Sequence, residues 1–188
     1  MNELKQERLQ NRLGPEIKEF RESCLTLQLA TVDAEGKPNV SYAPFALLDD
    51  GYYVLISQLA KHARNLLENP KVSLMMIEDE VASKTIYARK RLTFEANVFV
   101  VDRETERWRE GVSALQDRFG EIVEGLSSLA DFSLFRLEPI HGLFVKGFGQ
   151  AFQVSGDELV DFVHLQAGHK RIGDGSEVTI PTEPFEKL

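Results

Sequence analysis

The sequence contains one cysteine, Cys24, among 188 residues. A single thiol excludes an intrachain disulfide and any zinc site built from several cysteines. Because Cys24 precedes the first strand pattern, we expect it to be a small buried residue. No apolar run approaches the roughly 20 residues of a membrane-spanning helix, and the charged residues 1–12 lack the apolar core of a signal peptide. These absences predict a cytoplasmic protein without membrane insertion.

Several common catalytic motifs are also missing. The chain has no Gly-rich phosphate loop, no His-Glu-x-x-His helix and no Gly-x-Ser-x-Gly nucleophile elbow. It has no block rich in lysine and arginine, and its formal net charge is −8. Such a balance argues against binding to nucleic acid or to an anionic membrane surface. We therefore expect small molecules or proteins as partners.

Strand patterns dominate residues 25–80. Leu27 and Leu29 alternate with polar or small neighbours, which is the period of a half-buried strand. Further strands are predicted at residues 39–48 and 52–57, and the Asp-Gly pair between them favours a tight hairpin.

A short helix and a fourth strand follow the hairpin. Apolar residues recur at helical spacing from Leu59 to Leu67 before Pro70 ends the pattern, and strand character returns at residues 72–77. A meander with one short helix favours an antiparallel barrel, because a parallel sheet needs a helix after most strands. We predict one α+β, mainly β, domain spanning residues 1–188.

The rest of the chain alternates between helix and strand patterns. Gly14 and Pro15 predict a break in the N-terminal helical segment, whose candidate buried residues are Leu4, Ile17 and Phe20. Trp108 lies on an apolar helical face that predicts a core position. The predicted elements are helical segments at 1–22, a strand pair at 83–101, helices at 102–119 and 121–129, strands at 132–137 and 143–154, a helix at 157–165 and a polar tail at 166–188.

Four histidines are candidates for chemistry: His62, His141, His164 and His169. His169 follows Gly168, where the backbone can bend, and no helical face explains its side chain. A histidine in this setting can ligate a metal or haem iron, particularly when a carboxylate accepts its second N–H. The alternative, and the more frequent case, is a solvated tail.

The chain resembles the HugZ/HutZ haem-utilisation family, a branch of the pyridoxamine 5'-phosphate oxidase-like, FMN-binding split barrels. The resemblance implies an antiparallel split β-barrel with flanking helices, forming a homodimer that binds haem near the subunit interface. It rests on segments that occur in order from about Leu25 to His169: LATVDAEGKPNVSYAPFALLDDGYYVLIS, LAKHARNLLENPKVSLMMIEDE, ARKRLTFE, RFGEIVEGLSSLADFSLFRLEP, VKGFGQAF and GHK.

The same resemblance implies roles for four residues. The axial iron ligand falls on His169, and the carboxylate that accepts a hydrogen bond from that ligand falls on Asp131, expected from the other subunit. Arg91 matches an arginine of the haem pocket that faces a propionate or an iron-bound ligand, and His62 matches a second family histidine. Without the resemblance, Asp131 is equally a residue at a helix end or strand start, and Arg91 a solvated strand charge.

A comparison with the flavin-binding relatives argues for haem over FMN. Those relatives commonly carry Ser-x-Lys-x-x-Asn-Leu, whose hydroxyl and ammonium hold the cofactor phosphate, whereas residues 60–66 here are AKHARNL. Both phosphate-facing positions differ, and a neutral imidazole is a weaker partner for an anion. Lys61, Arg64 and Arg89 remain as an alternative flavin phosphate site.

Three functions are therefore open from the sequence. The first is a haem-degrading oxygenase that releases iron and takes electrons from an external donor. The second is a haem carrier or storage protein that uses the same pocket without turnover. The third is an FMN-dependent oxidoreductase of the wider barrel superfamily.

Overall fold

The computed structural model describes residues 2–156 and 160–161. The fold comprises two compact units. Unit 1 comprises the described residues of 1–24, 76–93 and 142–188, and unit 2 comprises residues 25–75 and 94–141. The elements are α1 (Asn2–Ser23), β1 (Thr26–Val32), β2 (Pro38–Pro44), β3 (Ala46–Leu48), β4 (Gly51–Ser57), α2 (Lys61–Glu68), β5 (Lys71–Ile77), a 3-10 turn (Ile86–Ala88), β6 (Arg91–Val101), α3 (Glu106–Phe119), α4 (Ile122–Ser128), β7 (Phe132–Gly147), β8 (Gln150–Ser155) and β9 (Val160–Asp161).

The strands form a mainly antiparallel sheet in the order β2-β1-β5-β6-β7-β4-β3, with β8 on β7 and β9 on β8. β1 pairs antiparallel with both β2 and β5, and β4 pairs antiparallel with both β3 and β7. The predicted alternation in β1 is confirmed, since Leu27 and Leu29 are fully buried while their strand neighbours face outward. Strand order thus separates β2 from β3, although the two are adjacent in sequence.

The core of unit 2 lies between the sheet and α3. Trp108 is buried there, as predicted, in a cluster with Tyr53, Leu115 and Leu134. The Thr105 hydroxyl accepts a hydrogen bond from the Trp108 amide at 3.1 Å and so caps the start of α3. This cap and the apolar face together fix the helix against β3 and β4.

In unit 1, α1 supplies the apolar face. Ile17 and Phe20 are buried, as predicted, and the Phe20 ring lies 6.1 Å from that of Phe144. The side chain of Leu4, also predicted to be buried, lies outside the described residues. The predicted break at Pro15 is wrong, because α1 is one helix through that residue. Buried residues on both sides of Pro15 hold the helix in place and offset the lost backbone hydrogen bond.

The predicted strand pair at residues 83–101 is wrong in its first half. Only Arg91–Val101 forms a strand, and Ile86 and Tyr87 lie in a 3-10 turn with their side chains exposed. The Asp79 side chain accepts a hydrogen bond from the Val81 amide at 2.8 Å. Local side-chain bonds of this kind compete with strand pairing.

Two strand predictions and one helix prediction needed smaller corrections. The strand predicted at 39–48 is divided at Phe45, after Pro44, which has no N–H to donate to a ladder. The strand predicted at 143–154 turns between β7 and β8, where Gly149 has φ +67°. Val160–Asp161 pairs with β8 as a strand, so the helix predicted at 157–165 is wrong for those two residues.

No helix in the described part of the chain is both long enough and apolar enough to span a bilayer. The helices predicted at 102–119 and 121–129 are confirmed as α3 and α4, with shorter bounds. Within α4, however, Val123 is buried and Ile122 is exposed. The predicted helix is therefore present, and Val123 supplies its buried position.

Candidate functional site

Asp131 lies in unit 2 between α4 and β7, beside the end of β4. The antiparallel pairing of these strands places Ser57 opposite Phe132. As a result, Ser57 Oγ donates a hydrogen bond to Asp131 Oδ2 at 2.6 Å, and the Gln58 amide donates to the Asp131 carbonyl at 2.8 Å. Ser57 Oγ also accepts from the Leu59 amide at 3.1 Å. The carboxylate and its backbone are therefore both held by the end of β4.

The second carboxylate oxygen of Asp131, Oδ1, accepts no hydrogen bond from any residue that the structure describes. The side chain is half-buried. A half-buried acceptor without a donor costs stability unless water or another group supplies one. Asp131 therefore has one oxygen held within its own chain and one available to an outside donor.

Arg103 holds the backbone on both sides of Asp131. Its guanidinium lies 4.6 Å from the centroid of the Trp108 ring, and its donors satisfy carbonyls at the end of α4 and the start of β7. The acceptors are the carbonyls of Ser127 at 2.6 Å, Leu129 at 2.5 Å and Phe132 at 2.7 Å. The sequence analysis missed Arg103, because a side chain that donates to backbone carbonyls leaves no residue pattern.

His62 lies on α2, which is anchored to β1. Nδ2 of Asn65, a buried residue, donates to the buried hydroxyl of Thr31 at 2.9 Å. Burial lowers the pKa of His62 below its ordinary value, so the imidazole is neutral at neutral pH. No hydrogen bond or ion pair joins His62 to another residue within the described ranges. The helix therefore presents a neutral, half-buried imidazole with its nitrogens available.

The three cations of the alternative flavin phosphate site all contact oxygens of this chain. Guanidinium and ammonium groups with carbonyl or carboxylate partners are less available to a phosphate. The contacts are Lys61 Nζ to Asp33 Oδ2 at 3.3 Å, Arg64 Nη1 to the Leu59 carbonyl at 2.5 Å, and Arg89 Nη1 to Glu80 Oε1 at 3.2 Å. Arg89 also donates through Nε to the Glu78 carbonyl at 2.9 Å.

Arg91 differs from these cations. It is half-buried in unit 1, at the start of β6, and within the described residues its side chain makes one hydrogen bond, a long one of 3.4 Å from Nη1 to the Arg89 carbonyl. That contact leaves most donors of its guanidinium without partners among the described residues. Arg91 is therefore available to an anion in a way that Lys61, Arg64 and Arg89 are not.

Of the three remaining histidines, the structure describes His141 alone. His141 is exposed, and its Nε2 lies 3.1 Å from Glu95 Oε2. His164 and His169 lie outside the described residues, so the ligand role of His169 stays a prediction. Among the side chains that the structure describes, residues 7–156, no three His, Cys, Asp or Glu converge as a metal site. Asp131, Arg91 and His62 are thus the predicted site residues whose surroundings the structure describes.

The comparisons with known proteins identify the family. A family model described as pyridoxamine 5'-phosphate oxidase matches residues 13–146. The protein named Heme oxygenase HutZ, from Vibrio cholerae, is 64% identical over 173 residues, which cover 92% of this chain and 98% of that protein. The chain belongs to the HutZ family. The resemblance that the sequence segments carried is therefore confirmed.

Solved structures place this HutZ-family chain in the same fold. The crystal structure of HutZ from Vibrio cholerae, described as a heme storage protein, is 62% identical with a TM-score of 0.70, over 73% of this chain and 97% of that one. ChuZ from Campylobacter jejuni is 32% identical with a TM-score of 0.77, over 85% of this chain and 66% of that one. The predicted mainly antiparallel split β-barrel with flanking helices is confirmed.

Proposed function

We propose that this protein binds haem and degrades it by an oxygenase reaction that opens the porphyrin ring and releases iron. The protein acts as a homodimer in the cytoplasm and takes electrons from an external donor. Its HutZ relative is named a heme oxygenase, at 64% identity over nearly the whole of that protein.

The observation that carries the proposal is the contrast between two sets of polar side chains. Asp131 Oδ1, the Arg91 guanidinium and the His62 imidazole lack strong partners among the described residues. The cations that would hold a flavin phosphate are instead engaged with carbonyls and carboxylates. The available groups are one acceptor, one cation and one neutral imidazole, a set that suits a histidine-ligated haem with anionic propionates better than a phosphate.

In this proposal four residues have roles in haem binding. His169 ligates the iron, and Asp131 of the other subunit accepts the N–H of the ligand's second ring nitrogen, which fixes its tautomer and raises its basicity. The Arg91 guanidinium donates to an anionic group of the ligand. His62 contributes a neutral imidazole, because burial keeps its pKa low. Bound haem supplies the oxygen-activating iron and the ring that is oxidised.

A storage role has one observation in its favour, since the solved HutZ structure is described as that of a heme storage protein. Storage and degradation share the binding residues and differ in whether oxygen and electrons reach the iron. The two haem-binding alternatives therefore differ in one measurable property, which is turnover.

The test begins with a haem titration of the purified protein, followed by gel filtration to measure the size of the complex. The haem complex is then reduced without oxygen and exposed to air. Loss of the haem spectrum, with release of iron and a linear tetrapyrrole, supports degradation, whereas a stable spectrum over the same period supports storage. Yellow protein with flavin fluorescence and no haem binding contradicts the proposal in favour of the FMN alternative.

A further inference from the structure

The hydroxyl of Ser57 is the one side-chain donor that contacts Asp131 in the described residues. We propose that Ser57 is a positioning residue, which orients the Asp131 carboxylate so that Oδ1 has a fixed direction as the acceptor for the N–H of the haem ligand. The inference rests on the proposed function, because it deepens the role of Asp131 there.

The direction of the Ser57 hydrogen is fixed by its neighbours. Ser57 Oγ accepts from the Leu59 amide at 3.1 Å, and a hydroxyl has a single proton to donate. That proton is therefore directed to Asp131 Oδ2, 2.6 Å away, a short distance typical of a charge-assisted hydrogen bond. The contact joins positions 74 residues apart in the sequence.

Orientation matters because a carboxylate rotates easily about its last torsion. The χ2 angle of aspartate is broad, so an unrestrained side chain presents its oxygens over a wide range of directions. The bond to Oδ2 removes this freedom and leaves Oδ1 as the acceptor with a fixed direction.

The backbone of Asp131 is held independently of its side chain. The Gln58 amide donates to the Asp131 carbonyl at 2.8 Å, and Arg103 donates to the carbonyls of Leu129 and Phe132 on either side. Because the main chain is fixed in this way, loss of the Ser57 hydroxyl frees the carboxylate without moving residue 131. Ser57 is thus separable from the rest of the site by substitution.

A purely structural role for Ser57 makes a different prediction. Its bond from the Leu59 amide stabilises the turn before α2, and a residue that did only this would alter thermal stability alone. A positioning role also alters the bond between iron and histidine, because the carboxylate's hydrogen bond sets the basicity of that ligand.

The experiment compares Ser57→Ala, Ser57→Thr and Asp131→Ala in the full-length protein loaded with haem. The measurements are the iron–histidine stretching band of the ferrous protein by resonance Raman spectroscopy, the haem dissociation constant, and the Tm of the haem-free protein. We expect Ser57→Ala to shift the band in the same direction as Asp131→Ala, by less, and to weaken haem binding about 10-fold. Ser57→Thr retains the hydroxyl, so its band should lie closer to that of the unsubstituted protein than the band of Ser57→Ala does.

Two further variants keep the inference testable if Ser57→Ala folds poorly. Ser57→Val and Ser57→Thr are close in size and differ in the hydroxyl, and the double variant Ser57→Val/Asp131→Ala should give the band of Asp131→Ala alone. A band that moves in Asp131→Ala but stays unchanged in Ser57→Ala overturns the inference and leaves the proposed function intact. An unchanged band in Asp131→Ala overturns the inference together with the proposed role of Asp131. Failure of the unsubstituted protein to bind haem overturns the proposed function itself.

Discussion

Nδ2 of Asn65 on α2 lies 2.9 Å from Oγ1 of Thr31 on β1, and both side chains are almost fully buried. This bond attaches the helix that carries His62 to the sheet. A buried amide that donates a hydrogen bond contributes stability. If the Asn65 amide is removed, the buried Thr31 hydroxyl loses this partner, and its uncompensated desolvation lowers stability. The relationship therefore determines both the stability of α2 and the placement of His62.

We expect Asn65→Ala to lower the free energy of unfolding by about 1–3 kcal/mol, because the Thr31 hydroxyl loses its strongest partner. Urea denaturation followed by circular dichroism measures the change. Arg64→Ala is the control, since Arg64 is an exposed neighbour on the same helix. Equal stability of the two variants would contradict the anchoring role of Asn65.

A side chain added at Gly111 should destabilise the protein. A Cβ at this position on α3 would lie 2.8 Å from Leu134 Cδ2 and 2.8 Å from Tyr53 Cδ1, and both of those residues are fully buried. Overpacking costs more than the gain in helix propensity, so Gly111→Ala should destabilise the protein by about 1 kcal/mol net. Gly125 on α4 has open space around its Cα, and Gly125→Ala should instead stabilise it by about 0.5–1 kcal/mol. Thermal unfolding of both variants distinguishes the opposite signs.

Glu16 should make unit 1 sensitive to acid. Burial alone would raise the pKa of Glu16, but Lys146 Nζ at 2.6 Å and Lys90 Nζ at 3.4 Å outweigh burial and lower it. A carboxyl with a lowered folded-state pKa adds stability above its unfolded value, and that stability is lost as the pH falls through the folded pKa.

The Tm of the unsubstituted protein should therefore fall more than that of Glu16→Gln between about pH 6 and pH 3. Glu19→Gln, at an exposed position of the same helix, serves as the control and should follow the unsubstituted protein. If Glu16→Gln shows the same acid dependence as the unsubstituted protein, the ion pairs of Glu16 do not contribute to folding.

His169→Ala should abolish the spectrum of a histidine-ligated haem and weaken haem binding, because the proposed ligand is removed. His141→Ala is the matched control, since His141 is an exposed histidine beside Glu95. Absorption spectra in a haem titration measure both variants. Unchanged spectra in His169→Ala would exclude this ligand and leave His164 as the next candidate.

Asp131→Asn should retain haem binding but alter the iron spectrum and slow turnover, because it replaces a charged acceptor by a neutral amide. Haem titration, absorption spectroscopy and the rate of haem loss in air with a reductant measure the three effects. Since the amide can still accept from Ser57 through its oxygen, the fold around residue 131 should keep its Tm. A variant indistinguishable from the unsubstituted protein in all three would reduce Asp131 to a structural role.

Residues 25–80 were largely predictable because their signals are local. The alternation around Leu27 and Leu29, the Asp-Gly pair at the hairpin and the spacing that ends at Pro70 each depend on a few adjacent residues. The segment at residues 83–88 was mispredicted as strand for the same reason. Ile86 and Tyr87 resemble a strand locally, but their exposure shows that no described residue covers them.

The sequence by itself determined the family and most of the strand and helix order, since both follow from residue types and their order along the chain, and the resemblance to that family supplied the candidate site residues. Only the tertiary structure decided which of those residues are available. Lys61 and Arg89 form ion pairs with carboxylates of this chain and are therefore less available to a ligand, whereas Asp131 keeps one oxygen without a donor among the described residues. Its positioning by Ser57, 74 residues away, and by Arg103 depends on how β4, α4 and β7 meet. A local sequence pattern does not predict such contacts, because they arise from packing between segments that are distant in sequence.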